Sequence, residues 1–175
     1  SYVIDFQFTA EDTALIVSGL QSSGIGYVEV GHGLGLGAAR AGHGDQASSD
    51  ADYLRAAGQV RGAARIGAFF IPGIGTDDDL QTAADEGIDF IRVGIDCLRL
   101  DEAAARIERA KSLGLETFCN LMKSYAVEPD RFGELAKQAE ECGADIVVLV
   151  DSAGGMLPED TAAYLASARA NCSIR

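Results

Sequence analysis

The chain has 175 residues, a length typical of a single domain with one substantial core. Its composition, 47% hydrophobic and 23% charged residues, is that of an ordinary globular protein and excludes disordered and fibrous classes. The formal net charge of −13, with only 14 Lys and Arg, disfavours nucleic acid and anionic membrane surfaces as partners, because both attract clustered cations.

The cysteine pattern and the lengths of the apolar stretches indicate the cellular compartment of the protein. The four cysteines contain no C-x-x-C pair that would indicate a zinc or redox centre, so we expect free thiols in a reducing environment. No apolar stretch approaches the roughly 18 residues of a membrane span, and no basic-then-apolar leader is seen. These features predict a soluble cytoplasmic protein.

A repeated pattern organises the chain: an alanine-rich amphipathic segment, then Gly, then a short apolar run. The glycine is expected at the left-handed C′ position that ends a helix, after which the chain enters a strand. The four glycines that end predicted helices in this way are Gly24, Gly87, Gly114 and Gly143.

The predicted elements alternate along the chain. Thr9 and Thr76 precede acidic first turns, as N-caps do, and Pro129 and Pro158 suit the first helical position. The run 146–150 is apolar without alternation, as in a parallel strand covered on both faces. Helices are predicted at 10–23, 50–61, 77–86, 101–113, 129–143 and 158–170, and strands at 26–30, 65–71, 89–94, 115–121 and 145–150, with a further strand beginning near Ile174.

Strand–helix units of about 25–30 residues fit either a (β/α)8 barrel or a doubly wound parallel sheet. A barrel needs roughly 250 residues, so this chain would supply only part of one. No strand is predicted before the first helix, and the sequence stops just after the last strand begins. We therefore predict an α/β fold of five parallel strand–helix units, forming one domain over residues 1–175 that is truncated at both ends.

Both architectures bind ligands where the strands end, so candidate site residues should lie there. The segment 31–50 begins with a glycine run but matches neither nucleotide-binding glycine motif, and we interpret it as a mobile active-site loop. It holds both histidines, His32 and His43. His32 follows a strand end directly and is the better candidate for acid–base work or substrate contact.

Charged and hydroxyl residues on other strands complete the candidates. Glu29 lies inside a strand, where a buried carboxylate needs a cation, a metal or a hydrogen bond donor. Arg92 is the natural cation, in either a functional or a purely structural ion pair. Asp151 and Ser152 follow a strand, and the serine can donate to a substrate oxygen. No G-x-S-x-G sequence surrounds Ser152, so a serine nucleophile is not expected.

Taken in order, these strand-end sequences resemble the metal-dependent pyruvate aldolases of the DRE-TIM metallolyase superfamily, specifically the 4-hydroxy-2-oxovalerate aldolases. The resemblance spans almost the whole chain. The matching segments are Val28–Gly37, Ile71–Thr76, Arg92–Gly94, Leu121 and Met122 with Ser124, and Val150–Gly155.

The resemblance implies a partial TIM barrel, roughly the second to sixth of eight units. It also implies aldol cleavage of a 4-hydroxy-2-oxo acid to pyruvate and an aldehyde. A divalent metal, Mn²⁺ or Mg²⁺, would hold the 2-oxo acid and stabilise the pyruvate enolate. The family's metal ligands are expected just before Ser1 and just after Arg175, so no metal ligand is predicted within the segment, and the segment alone is expected to be inactive.

Residue roles follow from the same resemblance. Glu29 is expected near the metal, which adds it to the catalytic machinery in which His32 is placed by its position after a strand. Ser152, with Asp151 beside it, is expected to hydrogen-bond the bound oxo acid. The wall on the aldehyde side is expected to contain Phe69, Phe70 and Ile71.

Some departures keep alternatives open. Lys123 and Tyr125 replace the residues that hydroxyvalerate aldolases usually carry around Ser124, which leaves the aldehyde specificity open. An acyl-CoA condensing enzyme of the isopropylmalate or homocitrate synthase type is one alternative, although the sequence at 31–33 is aldolase-like. An inactive barrel fragment that serves as a binding or assembly module is the other.

The expected partners follow from the resemblance and from the predicted truncation. They are a small 2-oxo acid and an aldehyde, an aldehyde dehydrogenase by family analogy, and other copies of the chain in a homo-oligomer, because a truncated barrel exposes sheet edges.

Overall fold

The structure, a computed structural model, describes residues 2–174. Helices α1–α6 are Ala10–Ser22, Asp50–Val60, Asp77–Asp85, Ala104–Ser112, Pro129–Glu141 and Pro158–Asn171. Strands β1–β5 are Tyr27–Glu29, Arg65–Phe70, Phe90–Asp96, Glu116–Met122 and Ile146–Leu149. Short 3-10 helices cover Tyr2–Ile4, Cys97–Glu102 and Ser124–Ala126. The alternation of helices with parallel strands confirms the predicted α/β class.

The strand order is that of the chain, β1-β2-β3-β4-β5, and the chain divides into two compact units between Arg92 and Val93, inside β3. In the first unit β1 pairs in parallel with β2, and Glu29 lies opposite Gly67. In the second unit β4 pairs in parallel with β5, and Leu121 lies opposite Leu149.

The predicted helix ends are confirmed by one repeated hydrogen bond pattern. All four glycines named above have φ between +79° and +96°. At Gly87, for example, the amide donates to the carbonyl of Ala84 and the next amide, of Ile88, donates to that of Ala83. The same pair of bonds follows α1, α4 and α5, so each of these helices ends in a Schellman motif that turns the chain toward its next strand.

The predicted helix starts are also confirmed. Thr9 and Thr76 form capping boxes with Asp12 and Asp79, in which each threonine oxygen accepts the aspartate amide and each carboxylate accepts the threonine amide. Pro129 and Pro158 open α5 and α6. Local sequence therefore fixes where these helices begin.

Three predictions, on two element boundaries and on the burial of one strand, need correction. Helix α4 begins at Ala104 rather than at 101, because Cys97–Glu102 forms a 3-10 helix. No strand begins at Ile174, and Arg175 lies outside the described residues. The residues of β5 are half-buried rather than fully buried, because β5 is the last strand in the sheet order and pairs with β4 alone.

An aspartate before a strand links neighbouring strands in each unit. In the first unit, the Asp89 carboxylate accepts the Ile66 amide at 2.8 Å and the Arg61 guanidinium at 2.6 Å. In the second, the Asp145 carboxylate accepts the Thr117 amide at 2.8 Å and the Lys111 ammonium at 2.7 Å. Each aspartate thus satisfies an amide at the start of the preceding strand and helps to set the register.

The two faces of the first unit's strands differ in character. One face carries Val28, Ile66, Ala68 and Phe70, all buried at 4% exposure or less. The other carries mostly polar or aromatic residues: Tyr27 and Glu29 are exposed, Arg65 and Phe69 are half-buried, and Gly67 is buried. This alternation puts the apolar core on one side of β1 and β2 and the candidate site residues on the other.

In the second unit α5 carries the predicted apolar stripe. Phe132, Leu135, Ala136 and Ala139 are buried, and the Phe132 ring meets the Tyr164 ring of α6 edge-on, with centroids 5.6 Å apart. The Tyr164 hydroxyl donates to the Val127 carbonyl at 2.6 Å, which satisfies the one polar group of this aromatic contact.

The four cysteines are free thiols, as predicted. Burial raises the pKa of the Cys119 thiol to about 12, so it stays protonated and unreactive at neutral pH. Within residues 2–174, no helix has both the length and the apolar character that crossing a membrane requires.

Candidate active site

In the first unit, Glu29 and Arg92 form an ion pair on the exposed face of the sheet. The Glu29 carboxylate accepts a hydrogen bond from the Arg92 guanidinium at 2.9 Å, and both side chains are about one-third exposed (33% and 34%). The guanidinium carbon lies 5.5 Å from the centre of the Phe69 ring, a cation–π contact. The predicted pairing of these two residues is therefore present in the structure.

Burial is the main influence on the acidity of Glu29. It raises the pKa of this carboxyl above its ordinary value of 4.5, and the charge and hydrogen bond of Arg92 act in the opposite direction. Arg92 thus helps to keep a partly desolvated carboxylate ionised at neutral pH, which a role in binding cations or polar substrate groups requires.

His32 is held tightly beyond the end of β1. Its Nδ1 accepts the Leu34 amide at 3.1 Å, its ring stacks on Phe6 with centroids 3.9 Å apart, and the residue is 5% exposed. Since Nδ1 is an acceptor, the proton of the neutral ring belongs on Nε2. Nε2 is buried and has no hydrogen bond partner among residues 2–174.

Glu29 and His32 both line one apolar cavity of about 150 Å³. The wall also includes Gln46, whose side-chain oxygen is buried and likewise has no hydrogen bond partner within the described part of the chain. The structure therefore places the two residues with predicted catalytic roles at the same cavity of the first unit, and it adds Gln46, which no sequence motif indicated.

The first part of the loop 31–50 is packed against the first unit. Leu36 and Ala38 are buried at 2% and 0% exposure, and the Leu36 amide donates to the Phe69 carbonyl at 2.9 Å. The Gly37 amide donates to the Asp50 carboxylate at 2.8 Å, which ties the loop to the start of α2. These contacts hold the first part of the loop against β2 and α2, whereas most of residues 40–49 are exposed, and the mobility of the segment stays a prediction.

His32 should make the stability of the protein sensitive to acid. Burial lowers its pKa below 6.5 and the Asp50 carboxylate partly opposes this shift, so the unfolded chain binds a proton more readily than the folded one. Stability should therefore decline as the pH falls below 6.5. We expect His32→Asn to flatten this decline in urea unfolding midpoints measured between about pH 7.5 and 5.

Equal slopes in the wild type and His32→Asn would contradict the prediction.

In the second unit, the strand ends bring Asp96, Lys123 and Ser152 together. The Lys123 ammonium donates to the Asp96 carboxylate at 2.8 Å, and the Lys123 amide donates to the Ser152 hydroxyl oxygen at 3.0 Å. Ser152 is exposed, so its own O–H remains available to a ligand. Ser152 was predicted from the sequence as a site residue, whereas Lys123 and Asp96 were not.

Two other predicted or matched residues of this unit have structural hydrogen bonds. The Asp151 carboxylate accepts the amides of Gly154 at 3.0 Å and Met156 at 2.7 Å, so it shapes the turn after β5. The buried Ser124 hydroxyl donates to the Leu121 carbonyl at 2.6 Å and accepts the Val150 amide at 3.2 Å, joining the ends of β4 and β5.

The predicted aldehyde-side residues do not share one environment. Phe69 lies on the face of Glu29, under the guanidinium of Arg92, whereas Phe70 points to the opposite face and is fully buried. Ile71, just beyond β2, is half-buried. A wall on the open face can therefore include Phe69, while Phe70 supports it from the core.

The resemblance implies a divalent metal, whose ligands would be His, Cys, Asp or Glu side chains. No three His, Cys, Asp or Glu side chains within residues 2–174 lie close enough together to ligate one ion. The carboxylates nearest the strand ends, Glu29 and Asp96, are each paired with a cation instead. These residues by themselves do not fit a metal site.

Comparison with known proteins identifies curated relatives but no family model, because none of those searched matches the chain. The chain is 40% identical over 173 residues to 4-hydroxy-2-oxovalerate aldolase of Carboxydothermus hydrogenoformans, covering 99% of this chain and 52% of the relative. It is 40% identical over 166 residues to 4-hydroxy-2-oxovalerate aldolase 4 of Rhodococcus opacus, and this match covers 95% of the chain and 48% of the relative. A Mycobacterium tuberculosis oxaloacetate decarboxylase is 38% identical over 169 residues, covering 97% and 50%.

Solved structures show the same fold at low identity. The N-terminal domain of a putative aldolase from Bacteroides vulgatus superposes with a TM-score of 0.72 at 20% identity, covering 99% of this chain and 58% of that one. HMG-CoA lyase from Brucella melitensis superposes with a TM-score of 0.65 at 18% identity, and the match covers 93% of this chain and 61% of that one. The carboxyl transferase domain of Rhizobium etli pyruvate carboxylase superposes with a TM-score of 0.75 at 15% identity, and the match covers 94% of this chain and 31% of that one.

These findings confirm the predicted fold and the resemblance. The curated relatives that the chain matches are about twice its length. Over almost its whole length the chain is similar to the 4-hydroxy-2-oxovalerate aldolases, and it spans about half the length of these relatives.

Proposed function

We propose that the protein carrying this chain is an aldolase that cleaves a 4-hydroxy-2-oxo acid to pyruvate and an aldehyde. The observation that carries this proposal is the 40% identity to a 4-hydroxy-2-oxovalerate aldolase across 99% of the chain. In the reaction, the C4 hydroxyl loses its proton, the C3–C4 bond breaks, and its electron pair forms the pyruvate enolate, which is then protonated at C3.

The side chains at the strand ends supply groups suited to binding such a substrate. The Ser152 O–H is free to donate to an oxygen of the oxo acid, because the serine oxygen already accepts the Lys123 amide. In the first unit, the Nε2–H of His32 is a hydrogen bond donor at the cavity that Glu29 also lines, since Nδ1 is occupied by the Leu34 amide. Glu29, kept ionised by Arg92, orients polar groups on the open face of the first unit.

We assign no step to a metal held by this chain, because the described residues do not form a metal site. The divalent ion expected from the resemblance, Mn²⁺ or Mg²⁺, would require ligands from other residues. When bound, such an ion would act as a Lewis acid that stabilises the enolate.

Oxaloacetate decarboxylation is the second candidate, favoured by the 38% identity to an oxaloacetate decarboxylase. The two reactions share their central event. In both, a bond at C3 of a 2-oxo acid breaks and the pyruvate enolate forms, but carbon dioxide leaves in the decarboxylation and an aldehyde leaves in the aldol cleavage. The same oxo acid contacts would serve either reaction.

The test is an activity assay of the purified full-length protein with added Mn²⁺. We expect pyruvate release from 4-hydroxy-2-oxovalerate, followed through NADH consumption by added lactate dehydrogenase. Ser152→Ala should lower kcat/KM about tenfold, the effect of losing one hydrogen bond to a charged group. Ser112→Ala, a change on the surface of α4, should leave it unchanged.

Other outcomes would identify the alternatives. Pyruvate from oxaloacetate but not from 4-hydroxy-2-oxovalerate would establish the decarboxylase. Release of free thiol from an acyl-CoA mixed with a 2-oxo acid would show a condensing enzyme, and no turnover of any of these substrates would favour a binding or assembly module.

A further inference from the structure

Three consecutive strands of the second unit end in groups that contact one another. Asp96 is the last residue of β3, Lys123 follows β4 directly, and Ser152 lies just beyond β5. The lysine contacts both others, its ammonium at 2.8 Å from the Asp96 carboxylate and its amide at 3.0 Å from the Ser152 hydroxyl. Because ligands of parallel α/β folds bind at the carboxyl ends of the strands, this lysine occupies a ligand-facing position.

The backbone at Lys123 is held in an unfavourable conformation. Its φ of +56° and ψ of 40° lie in the left-handed region, which costs a residue with a Cβ about 1–2 kcal/mol. The surroundings impose it: the Lys123 amide donates to Ser152, and its carbonyl accepts the Cys97 thiol at 3.3 Å. Strain of this kind, fixed by neighbouring groups, is concentrated at ligand-binding positions.

The ammonium of Lys123 has capacity for a further ligand. It has three N–H donors, and Asp96 accepts one of them. The side chain is 55% exposed, so the remaining donors face solvent. Asp96, itself 22% exposed and fixed by the Leu98 amide at 3.0 Å, holds the long side chain in place. Hydrogen bonding to Asp96 raises the pKa of Lys123, so the group remains a cation at all physiological pH values.

We propose that Lys123 binds a second carboxylate of the substrate, and that the substrate class is therefore the 4-hydroxy-2-oxo dicarboxylic acids. This inference rests on the proposed aldolase function and narrows it. Ser152, one hydrogen bond from the lysine backbone, takes the oxo acid end, while the ammonium reaches the acidic group at the other end. Asp96 acts as a positioning residue for the lysine.

The chemistry indicates which half of the substrate carries this carboxylate. In aldol cleavage of a 4-hydroxy-2-oxo dicarboxylate, the C3–C4 bond breaks and the products are pyruvate and an oxo acid aldehyde. The second carboxylate stays on the aldehyde and keeps its charge throughout, so Lys123 can hold it in the substrate and in the transition state alike. In decarboxylation the bound carboxylate would itself leave as neutral carbon dioxide, and a cation gripping it would oppose the reaction.

The test compares two substrates that differ only at this group, 4-hydroxy-2-oxoglutarate and 4-hydroxy-2-oxovalerate, on the purified protein with Mn²⁺. We expect the wild type to have at least a tenfold higher kcat/KM for the dicarboxylate. Lys123→Gln should lower the ratio of the two kcat/KM values about 10–100-fold, the effect of losing a charged hydrogen bond. Lys123→Arg should retain most of the preference, because it keeps the positive charge.

The control is Lys137→Gln, which removes an exposed, ion-paired lysine of α5 in the same unit and should leave the ratio unchanged. Thermal unfolding checks that the variants fold, and the glutamine at 123 meets the same backbone strain as the lysine. A wild type that prefers the valerate, or an equal loss on both substrates in Lys123→Gln, would overturn the proposal.

A binding measurement separates this inference from the proposed function. Calorimetry with 2-oxoglutarate and 2-oxovalerate, which lack the C4 hydroxyl, should show the dicarboxylate bound at least tenfold more tightly, and Lys123→Gln should abolish the difference. If neither hydroxy acid is cleaved, the aldolase proposal fails, and this comparison still decides whether Lys123 recognises a second carboxylate. Equal affinities in the wild type would refute that role.

Discussion

Gly67→Ala should destabilise the first unit by about 3 kcal/mol, the upper range for forcing an extra methyl group into closely packed surroundings. A Cβ at this position would lie 2.5 Å from the ring carbons of Phe90 and 2.5 Å from its carbonyl oxygen. The ring cannot simply swing away, because it also meets the Tyr27 ring, with centroids 5.3 Å apart. Because the Phe90 carbonyl oxygen belongs to the backbone, removing the clash would require a shift of β2 against β3.

The prediction is checked by urea unfolding followed by circular dichroism, with the free energy extrapolated to water. Gly58→Ala is the matched control: Gly58 lies in α2 with nothing within 4 Å of its added Cβ. That change should be neutral or should stabilise the helix by up to about 1 kcal/mol. If Gly67→Ala proved as stable as the wild type, the close contact between Phe90 and β2 would be refuted.

Arg92→Met should reduce stability at neutral pH by about 1–3 kcal/mol, because it leaves the partly buried Glu29 carboxylate without its charged hydrogen bond donor. Burial already raises the pKa of Glu29 above 4.5, and Arg92 opposes that rise. In the variant the folded-state pKa should rise further. A carboxyl whose folded pKa is raised favours folding at low pH and loses that contribution as the pH rises through the folded value.

The expected result is therefore a change in how steeply stability depends on pH. Between about pH 4.5 and 7.5, Arg92→Met should lose stability more steeply than the wild type as the pH increases, as measured by urea midpoints. The double variant Glu29→Gln with Arg92→Met should lose this extra slope, since no carboxyl remains. Arg131→Met, which breaks an exposed pair with Glu134 on α5, should cost less than about 1 kcal/mol at any of these pH values. A parallel pH dependence in Arg92→Met and wild type would show that the pair does not control Glu29.

If the proposed function is correct, the same variant also tests whether Glu29 works as an ion. Protonation of Glu29 in Arg92→Met should shift the acidic limb of the kcat/KM profile to higher pH. The Arg131→Met profile should match the wild type.

Sequence alone determined the elements and their order in this protein. Helix starts at Thr9, Thr76, Pro129 and Pro158 and helix ends at the four glycines depend on hydrogen bonds within a few residues, so local sequence specifies them. The strand-end sequences also sufficed to indicate the aldolase relationship and to place Glu29, His32 and Ser152 at strand ends, because strand ends are where such folds bind ligands.

Tertiary structure decided what those side chains contact. The left-handed backbone of Lys123 arises from bonds to Ser152 and Cys97, each more than 25 residues away, and nothing in the sequence around Lys123 predicts it. Likewise Asp151 follows a strand as a ligand-binding residue would, yet the turn after it uses its carboxylate. Phe69 and Phe70 are chemically identical neighbours, but the two-residue period of β2 sends one to the open face and the other into the core. Local hydrogen bonds fix the elements, whereas contacts between strands distant in sequence fix which side chains can bind a substrate.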